Sequence, residues 1–365
     1  MPCGTITKEA RQPDFPYADA AARPLPHYRH HCSLSEVSTM LCKLFSLSDS
    51  AVGTIAFTVS ALSFLVTFFL LYCRMDLLPV DGGRKFAVNG EKSKGKPRGA
   101  GLLFVLVFAV MSVLFLPLSW EEMLYVVFIV AAMLTGYLDD ASETPWNEYK
   151  KGILDFIIAA GVTVTYIVAN GTDITLALFQ VEIHIPVVLF AVLALVLIWT
   201  AINVVNCTDG VDGLCGSLCI VSVLSFLLSE QIAGLSGSES FPYVCIAFLA
   251  CILAYLLLNC SPSILLMGDA GSRAIGLFLA VLALKSRMPL LFIPFCLVYI
   301  LDGGLGLVKV SLKRFLKISI LKKIRTPLHD QARKNIGWSD TQTVFRFVII
   351  QCVLSILFLL LMKPF

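Results

Sequence analysis

From about residue 50 onward the chain consists of long apolar runs separated by short polar stretches. Ten runs, each near the ~20 residues that cross a bilayer, lie at about 50–72, 100–118, 121–138, 151–170, 185–206, 211–230, 241–260, 272–286, 289–310 and 342–362. The eighth is short. None alternates with the two-residue period of barrel strands, and only helices and closed barrels satisfy the backbone inside lipid. The pattern predicts an all-α polytopic integral membrane protein, with about ten transmembrane helices in one domain over 47–365. Weak alternation over 172–184 predicts a small hairpin outside the membrane. Residues 1–46 are rich in Pro, Ala and His and show no periodic apolar face, which predicts a disordered tail. It lacks the basic start and apolar core of a secretory signal, and Met40 is an alternative start. His27, His30, His31 and Cys32 are of metal-binding type, but the tail composition favours disorder over a site.

Composition agrees with this pattern: 58% of residues are hydrophobic and 15% charged, too few charges for the surface of a soluble domain this long. The 12 cysteines are scattered, many inside apolar runs, and no Cys-x-x-Cys occurs. Neither a zinc site nor a disulfide framework is indicated. Charge then sets orientation. Loops 73–99 and 311–341 are crowded with Lys and Arg, whereas 119–120, 171–184 and 231–240 carry none. The positive-inside rule places the first two in the cytoplasm and, with an even span count, both termini outside. Lys285 and Arg287 are the exception on the outer side.

The candidate chemistry all falls at inner-side boundaries. Residues 203–214 read Asn-Val-Val-Asn-Cys-Thr-Asp-Gly-Val-Asp-Gly-Leu. Asn203, Asn206, Asp209 and Asp212 crowd the edge of hydrocarbon, where polar groups are costly without a ligand. On a helix Asp209 and Asp212 would share a face, where they repel unless a cation lies between them. The ligand spacing of a calcium-binding EF-hand is missing. Asp139 and Asp140 end the third run against the helix dipole, which a divalent cation or a proton-transfer role would explain. Lys150 and Lys151 open the next run and suit phosphate or lipid head groups. Gly268-Asp269-Ala270-Gly271-Ser272 offers a hard oxygen ligand suited to Mg²⁺ between glycines. Lys92 to Gly101, with Lys94, Lys96 and Arg98, suits an anionic ligand, and His329 lies in a polar insert over 326–334. Each has a plain alternative in helix caps, solvated acids or membrane anchoring. Together they suggest one cytoplasmic cleft built for phosphoryl transfer, where charge neutralisation and positioning do most of the catalytic work. No Walker P-loop is present, so a nucleotide here would be a substrate, and nothing points to nucleic acid. An anion transporter is the alternative from another class, but no repeated halves are evident.

Asp139-Asp140, Asn203-x-x-Asn206-x-x-Asp209-Gly-x-Asp212-Gly and Gly268-Asp269-x-Gly-Ser272 resemble the polyprenyl-phosphate N-acetylhexosamine-1-phosphate transferases. Thr208, Pro327-Leu328-His329 and Gly337-Trp338 resemble the phosphomuramoyl-pentapeptide branch of that superfamily, over about 73–362. The resemblance implies transfer of phospho-MurNAc-pentapeptide from its UDP donor to undecaprenyl phosphate, giving lipid I and UMP at a bacterial cytoplasmic membrane; a UDP-GlcNAc donor is the close alternative. It implies Mg²⁺ on Asp269, Asp139 and Asp140 as base and phosphate-handling acid, and Lys94 and His329 on phosphate. Asn206, Asp209 and Asp212 would line the uridine-sugar site, with Asn203 beside them, and a homodimer is expected. Two features depart from the family: its triple His is here His329-Asp330-Gln331, and Leu266 stands where an aromatic often precedes the Gly-Asp motif.

Overall fold

The computed structural model describes residues 52–83, 93–142, 144, 146–234 and 240–362. The tail expected over 1–46, with its His and Cys residues, lies outside them, as does Lys92. Every one of the ten apolar runs forms helix. In chain order the helices are α1 (Val52–Cys73), α2 (Gly101–Phe115), α3 (Trp120–Asp140), α4 (Glu148–Asn170), α5 (Val187–Thr208), α6 (Leu214–Ala233), α7 (Phe241–Asn259) and α8 (Gly268–Lys285). A broken span follows, α9 (Pro289–Phe295) and α10 (Leu297–Phe315), bent by 70°. A short α11 (Leu328–Gln331) precedes the last long helix, α12 (Asp340–Met362).

The expected ten spans become fewer when length and apolarity are both required. Among the described residues seven helices meet both, or eight if the bent pair counts as one span. The shortfall has physical causes. At 15 residues α2 is short of a full crossing. In α8, Asp269, Arg273 and Lys285 interrupt the apolar run, yet every residue from Gly268 to Lys285 except Asp269 is buried. A helix enclosed by protein has no lipid to face, so its charges need partners rather than removal.

α8 is the central post, and its sequence explains why. Gly268, Ala270, Gly271, Ser272, Ala274 and Gly276 are small, which lets neighbouring backbones approach closely where lipid supplies no hydrophobic drive. It packs most extensively on α3 and α5, and also on α2 and α6. A Cβ at Gly136 of α3 would lie 2.3 Å from the Asp269 carbonyl, and one at Gly101 of α2 would lie 2.0 Å from the Gly271 nitrogen. These two contacts bring the start of α2 and the end of α3 to the start of α8. Deeper in, Phe278 stacks on Phe248 with ring centroids 4.0 Å apart.

Successive helices from α2 to α8 run alternately up and down. The starts of α2, α4, α6 and α8 therefore share one end of the bundle with the ends of α3, α5 and α7. The hairpin expected over 172–184 forms at the other end: β1 (Asp173–Leu176) pairs antiparallel with β2 (Val181–His184), Asp173 opposite His184. It is tied to the turn after α8 by Thr175 N–H donating to the Arg287 carbonyl at 2.8 Å.

That end also accounts for part of the exception in loop charge. Lys285 is buried and pairs with Glu121, whose carboxylate further accepts from Asn170 at 2.6 Å and Tyr125 at 3.3 Å. A buried, neutralised lysine is not a loop charge, so it does not count against the positive-inside pattern. Removing one partner of such a pair leaves the other charge stranded. Lys285→Met is expected to cost about 3–5 kcal/mol in equilibrium unfolding in detergent, with most of it recovered by adding Glu121→Gln. An unchanged midpoint in the single variant would contradict the pairing.

Candidate active site

Asp139 and Asp140 close α3, and their placement explains how two adjacent acids survive at a helix C-terminus. The Asp140 carboxylate points into the start of α8, where Oδ2 accepts from Asp269 N–H at 2.7 Å and Ala270 N–H at 3.4 Å. The positive end of one dipole thus offsets the negative end of another. Asp140 Oδ1 pairs with Arg98 at 2.7 Å. Asp139 Oδ1 accepts from Trp146 N–H at 2.8 Å, and Oδ2 pairs with Lys151. Arg98 and Lys151 thus sit against the two acids in this structure.

Arg98 is the hub. Its Nη2 lies 2.7 Å from Asp140 and 3.2 Å from Asp269, and Nη1 lies 3.5 Å from Asp81. Backbone pairing fixes it: Arg98 N–H donates to Pro79 O, Leu266 N–H to Pro97 O, and Ala100 N–H to Leu266 O, at 2.8–3.0 Å. Burial alone would lower the Arg98 pKa, but Asp140, Asp269, Asp81 and Asp209 outweigh it and raise it further above neutrality. Lys151 lies 3.8 Å from Asp269 on the other side. Lys150, its neighbour, instead sits over the Trp146 ring at 3.4 Å.

Asn203 and Asn206 lie in the last turns of α5, but Asp209 and Asp212 do not share a helix face. The helix ends at Thr208, Asp209 leaves the helical region, and α6 starts at Leu214. The Asp-Gly-Val-Asp-Gly stretch is a turn because its two glycines interrupt the helix between two apolar runs. Asn203 donates back to the Trp199 carbonyl at 2.8 Å. Asn206 donates to Ser272 Oγ at 3.0 Å. Asp209 is part-buried and contributes to the field on Arg98. Asp212 Oδ2 accepts from Ser263 N–H at 3.1 Å and lies 3.7 Å from Lys96 Nζ. Lys94 is exposed at the turn before α2.

His329 is 3% exposed and doubly held by Asp302. One carboxylate oxygen accepts from the His329 backbone N–H at 2.7 Å, the other meets Nδ1 at 2.7 Å. An ionised carboxylate only accepts, so the proton sits on Nδ1 and Nε2 is left as the other ring nitrogen. Nε2 abuts Gly210, where a Cβ would lie 2.3 Å away. Arg333 donates to the Gly210 carbonyl at 3.0 Å and to Asp330 at 2.8 Å.

Residues 206–212 therefore touch four other places in the chain: Ser263, Ser272, Lys96 and the His329–Arg333 stretch. Arg98 joins the loop before α2 to α3 and α8. All five stretches singled out in the sequence belong to one connected network at one end of the bundle. A cleft of about 690 Å³ opens there, lined by Asp81, Arg98, Asp139, Asp140, Lys151, Asn206 and Asp269 among others. The sequence motifs give no role to Asp81 or Asp302. An available signal for Asp302 was a lone acid in an apolar run, which is costly without a partner or a task.

The cleft gathers hard carboxylate oxygens and fixed cations, an arrangement suited to polyphosphate chemistry. Among the described residues no group of three His, Cys, Asp or Glu side chains forms a metal cage. A profile of the Glycosyl transferase family 4 matches residues 123–287. The chain is similar to the phospho-N-acetylmuramoyl-pentapeptide-transferase of Treponema pallidum (strain Nichols), 37% identical over 310 residues, covering 80% of this chain and 85% of that protein. Enzymes of the same name from Clostridium perfringens (strain SM101 / Type A) and Wolbachia sp. subsp. Drosophila simulans (strain wRi) are 29% and 26% identical. They cover 74% and 72% of this chain, and 85% and 83% of their own lengths.

Gly210→Ala is expected to push His329 off Asp302. The buried imidazole, protected in the native protein, then becomes reactive to diethyl pyrocarbonate, read by peptide mass spectrometry. Protection equal to that of the native protein would contradict the packing described.

Proposed function

Because the chain belongs to the phospho-N-acetylmuramoyl-pentapeptide-transferases of glycosyl transferase family 4, we propose that the Arg98-centred cleft is where its reaction takes place. The protein is a multi-pass membrane enzyme that transfers phospho-MurNAc-pentapeptide from UDP-MurNAc-pentapeptide to undecaprenyl phosphate, forming lipid I and UMP. A phosphate oxygen of the lipid attacks the β-phosphorus of the donor, the bond to the bridging oxygen breaks, and UMP leaves with that oxygen.

The observation that supports this site most strongly is the hub itself: one guanidinium held by Asp140 and Asp269 at the mouth of α8. Arg98 and Lys151 are the cations that would turn from these acids to the diphosphate. A proton on the lipid phosphate passes to Asp139 or Asp140, both of which line the cleft. His329 would present Nε2 to phosphate oxygen with Asp302 fixing the ring. Asn203, Asn206, Asp209 and Asp212 would line the uridine-sugar side, and Lys94, at the exposed turn, would meet the outer part of the donor.

The donor set fits a magnesium ion. Asp140 and Asp269 oxygens converge on one point, now marked by Arg98 Nη2, and Mg²⁺ characteristically takes one or two carboxylates while phosphate and water complete the octahedron. Asp269, with Asp140 beside it, would hold the ion, which supplies charge neutralisation on the diphosphate. The basic stretches 93–98 and 309–325 support a cytoplasmic orientation of this end of the bundle, on the positive-inside rule.

The test uses the full chain in detergent or lipid with Mg²⁺ and undecaprenyl phosphate. UMP release from UDP-MurNAc-pentapeptide is expected, and Asp269→Asn should slow it at least ~100-fold in a chain that still folds. Release only from UDP-GlcNAc would overturn the donor; a native rate in Asp269→Asn would overturn the site.

A further inference from the structure

One turn deeper than the cleft, a second ion pair lies between α4 and α8. Asp155 of α4 is 2% exposed, Arg273 of α8 is 5% exposed, and their side chains bond directly. Arg273 Nε is buried with no hydrogen-bond partner. A buried ion pair with a donor left over adds little to stability, because desolvation cancels most of the attraction. Its place in the fold is more informative. α4 and α8 both start at the cleft and run away from it. On α4, Lys151 and Asp155 are four residues apart; on α8, Asp269 and Arg273 are four apart. Each pair therefore shares a helix face. The signs are reversed between the two helices, so two rungs form: Lys151 to Asp269 at 3.8 Å, and Asp155 to Arg273 below it. α4 packs mainly on α3 and α5 rather than on α8, and these side chains reach across the gap.

We propose that the Asp155–Arg273 pair is a positioning device that keeps Lys151 and Asp269 facing the cleft. The reasoning is electrostatic. Asp155 is the nearest acid below Lys151 on the same helix, and Arg273 the nearest cation below Asp269. In a water-poor interior each would draw its upper neighbour inward. Closing the lower rung cancels both pulls at once. Lys151 is then left to the carboxylates of Asp139 and Asp269, and Asp269 to Arg98. This inference rests on the reading of Lys151 and Asp269 as phosphate-handling groups. Neither Asp155 nor Arg273 lines the cleft, so both act through the residues above them.

The experiment measures UMP release and detergent unfolding for the full chain and four variants. Arg273→Met leaves the Asp155 charge alone and is expected to lower kcat roughly 100-fold, the scale of a small misplacement of a working group. Asp155→Asn frees Arg273 and lowers kcat similarly. The double variant Asp155→Asn/Arg273→Met removes both pulls and is expected to recover to within about threefold of the native rate, since the neutral rung no longer redirects either residue. Arg273→Lys keeps the charge and most of the rate. A purely structural pair would lose and regain rate only in step with the unfolding midpoint, whereas here kcat falls in single variants that remain folded. The proposal is overturned if either single variant keeps the native kcat, or if the double variant stays as slow as the singles or no longer folds. Absence of UMP release from the native chain with its donor would instead indict the functional reading, so the two failures are distinguishable.

Discussion

A single guanidinium holds this end of the molecule together. Arg98 lies within reach of carboxylates from three separate segments: Asp81 before it in the chain, Asp140 at the end of α3 and Asp269 at the start of α8. Three acids brought this close would repel strongly in a region poor in water. One cation satisfies all three, and the N-terminus of α8 supplies further positive potential to Asp140. The glycine contacts at Gly101 and Gly136 give this arrangement its geometry, because they let α2 and α3 meet the α8 backbone where the charges converge. The acids are thus held beside groups that an anionic substrate can draw away.

The same logic runs through the rest of the bundle. Three ion pairs cross between helices inside the apolar part: Glu121 with Lys285 at one end, Asp155 with Arg273 between, and Asp139 with Lys151 at the cleft. All three pairs bridge different helices, and two of them end on α8. The most enclosed helix is therefore also the one that carries electrostatic ties to its neighbours. A post of small residues gives close approach, and its few charges fix register where apolar packing alone would tolerate sliding.

Much of this was legible in the sequence because hydrocarbon imposes a simple rule on it. Apolar runs had to be helical, and among the described residues each of the ten is, the ninth as a bent pair. The polar stretches stood out because they sit where polarity is expensive, and the alternation of helices carried them to one end. Two features were not legible. A run length cannot distinguish a lipid-facing span from α8, which is sheathed by protein and so tolerates Asp269, Arg273 and Lys285. A spacing of three between Asp209 and Asp212 suggests a shared helix face, but the glycines between and after them end the helix first. Partner identity was equally hidden. Lys94 and Arg98 are both cations before a span, and only the backbone pairing of 97–101 with Pro79 and Leu266 shows that Arg98 is the one held against Asp140 and Asp269. Asp302 gave no motif at all, since its partner His329 lies 27 residues away.

The claim on which the account stands is that Arg98 couples energetically to the carboxylates it bridges. A double-mutant cycle with Arg98→Gln and Asp140→Asn, read by equilibrium unfolding of the full chain in detergent, measures this directly. The account predicts a coupling of about 1–3 kcal/mol, the range for residues in one ion-pair network. A coupling of less than about 0.5 kcal/mol, the level at which independent sites add, would contradict it.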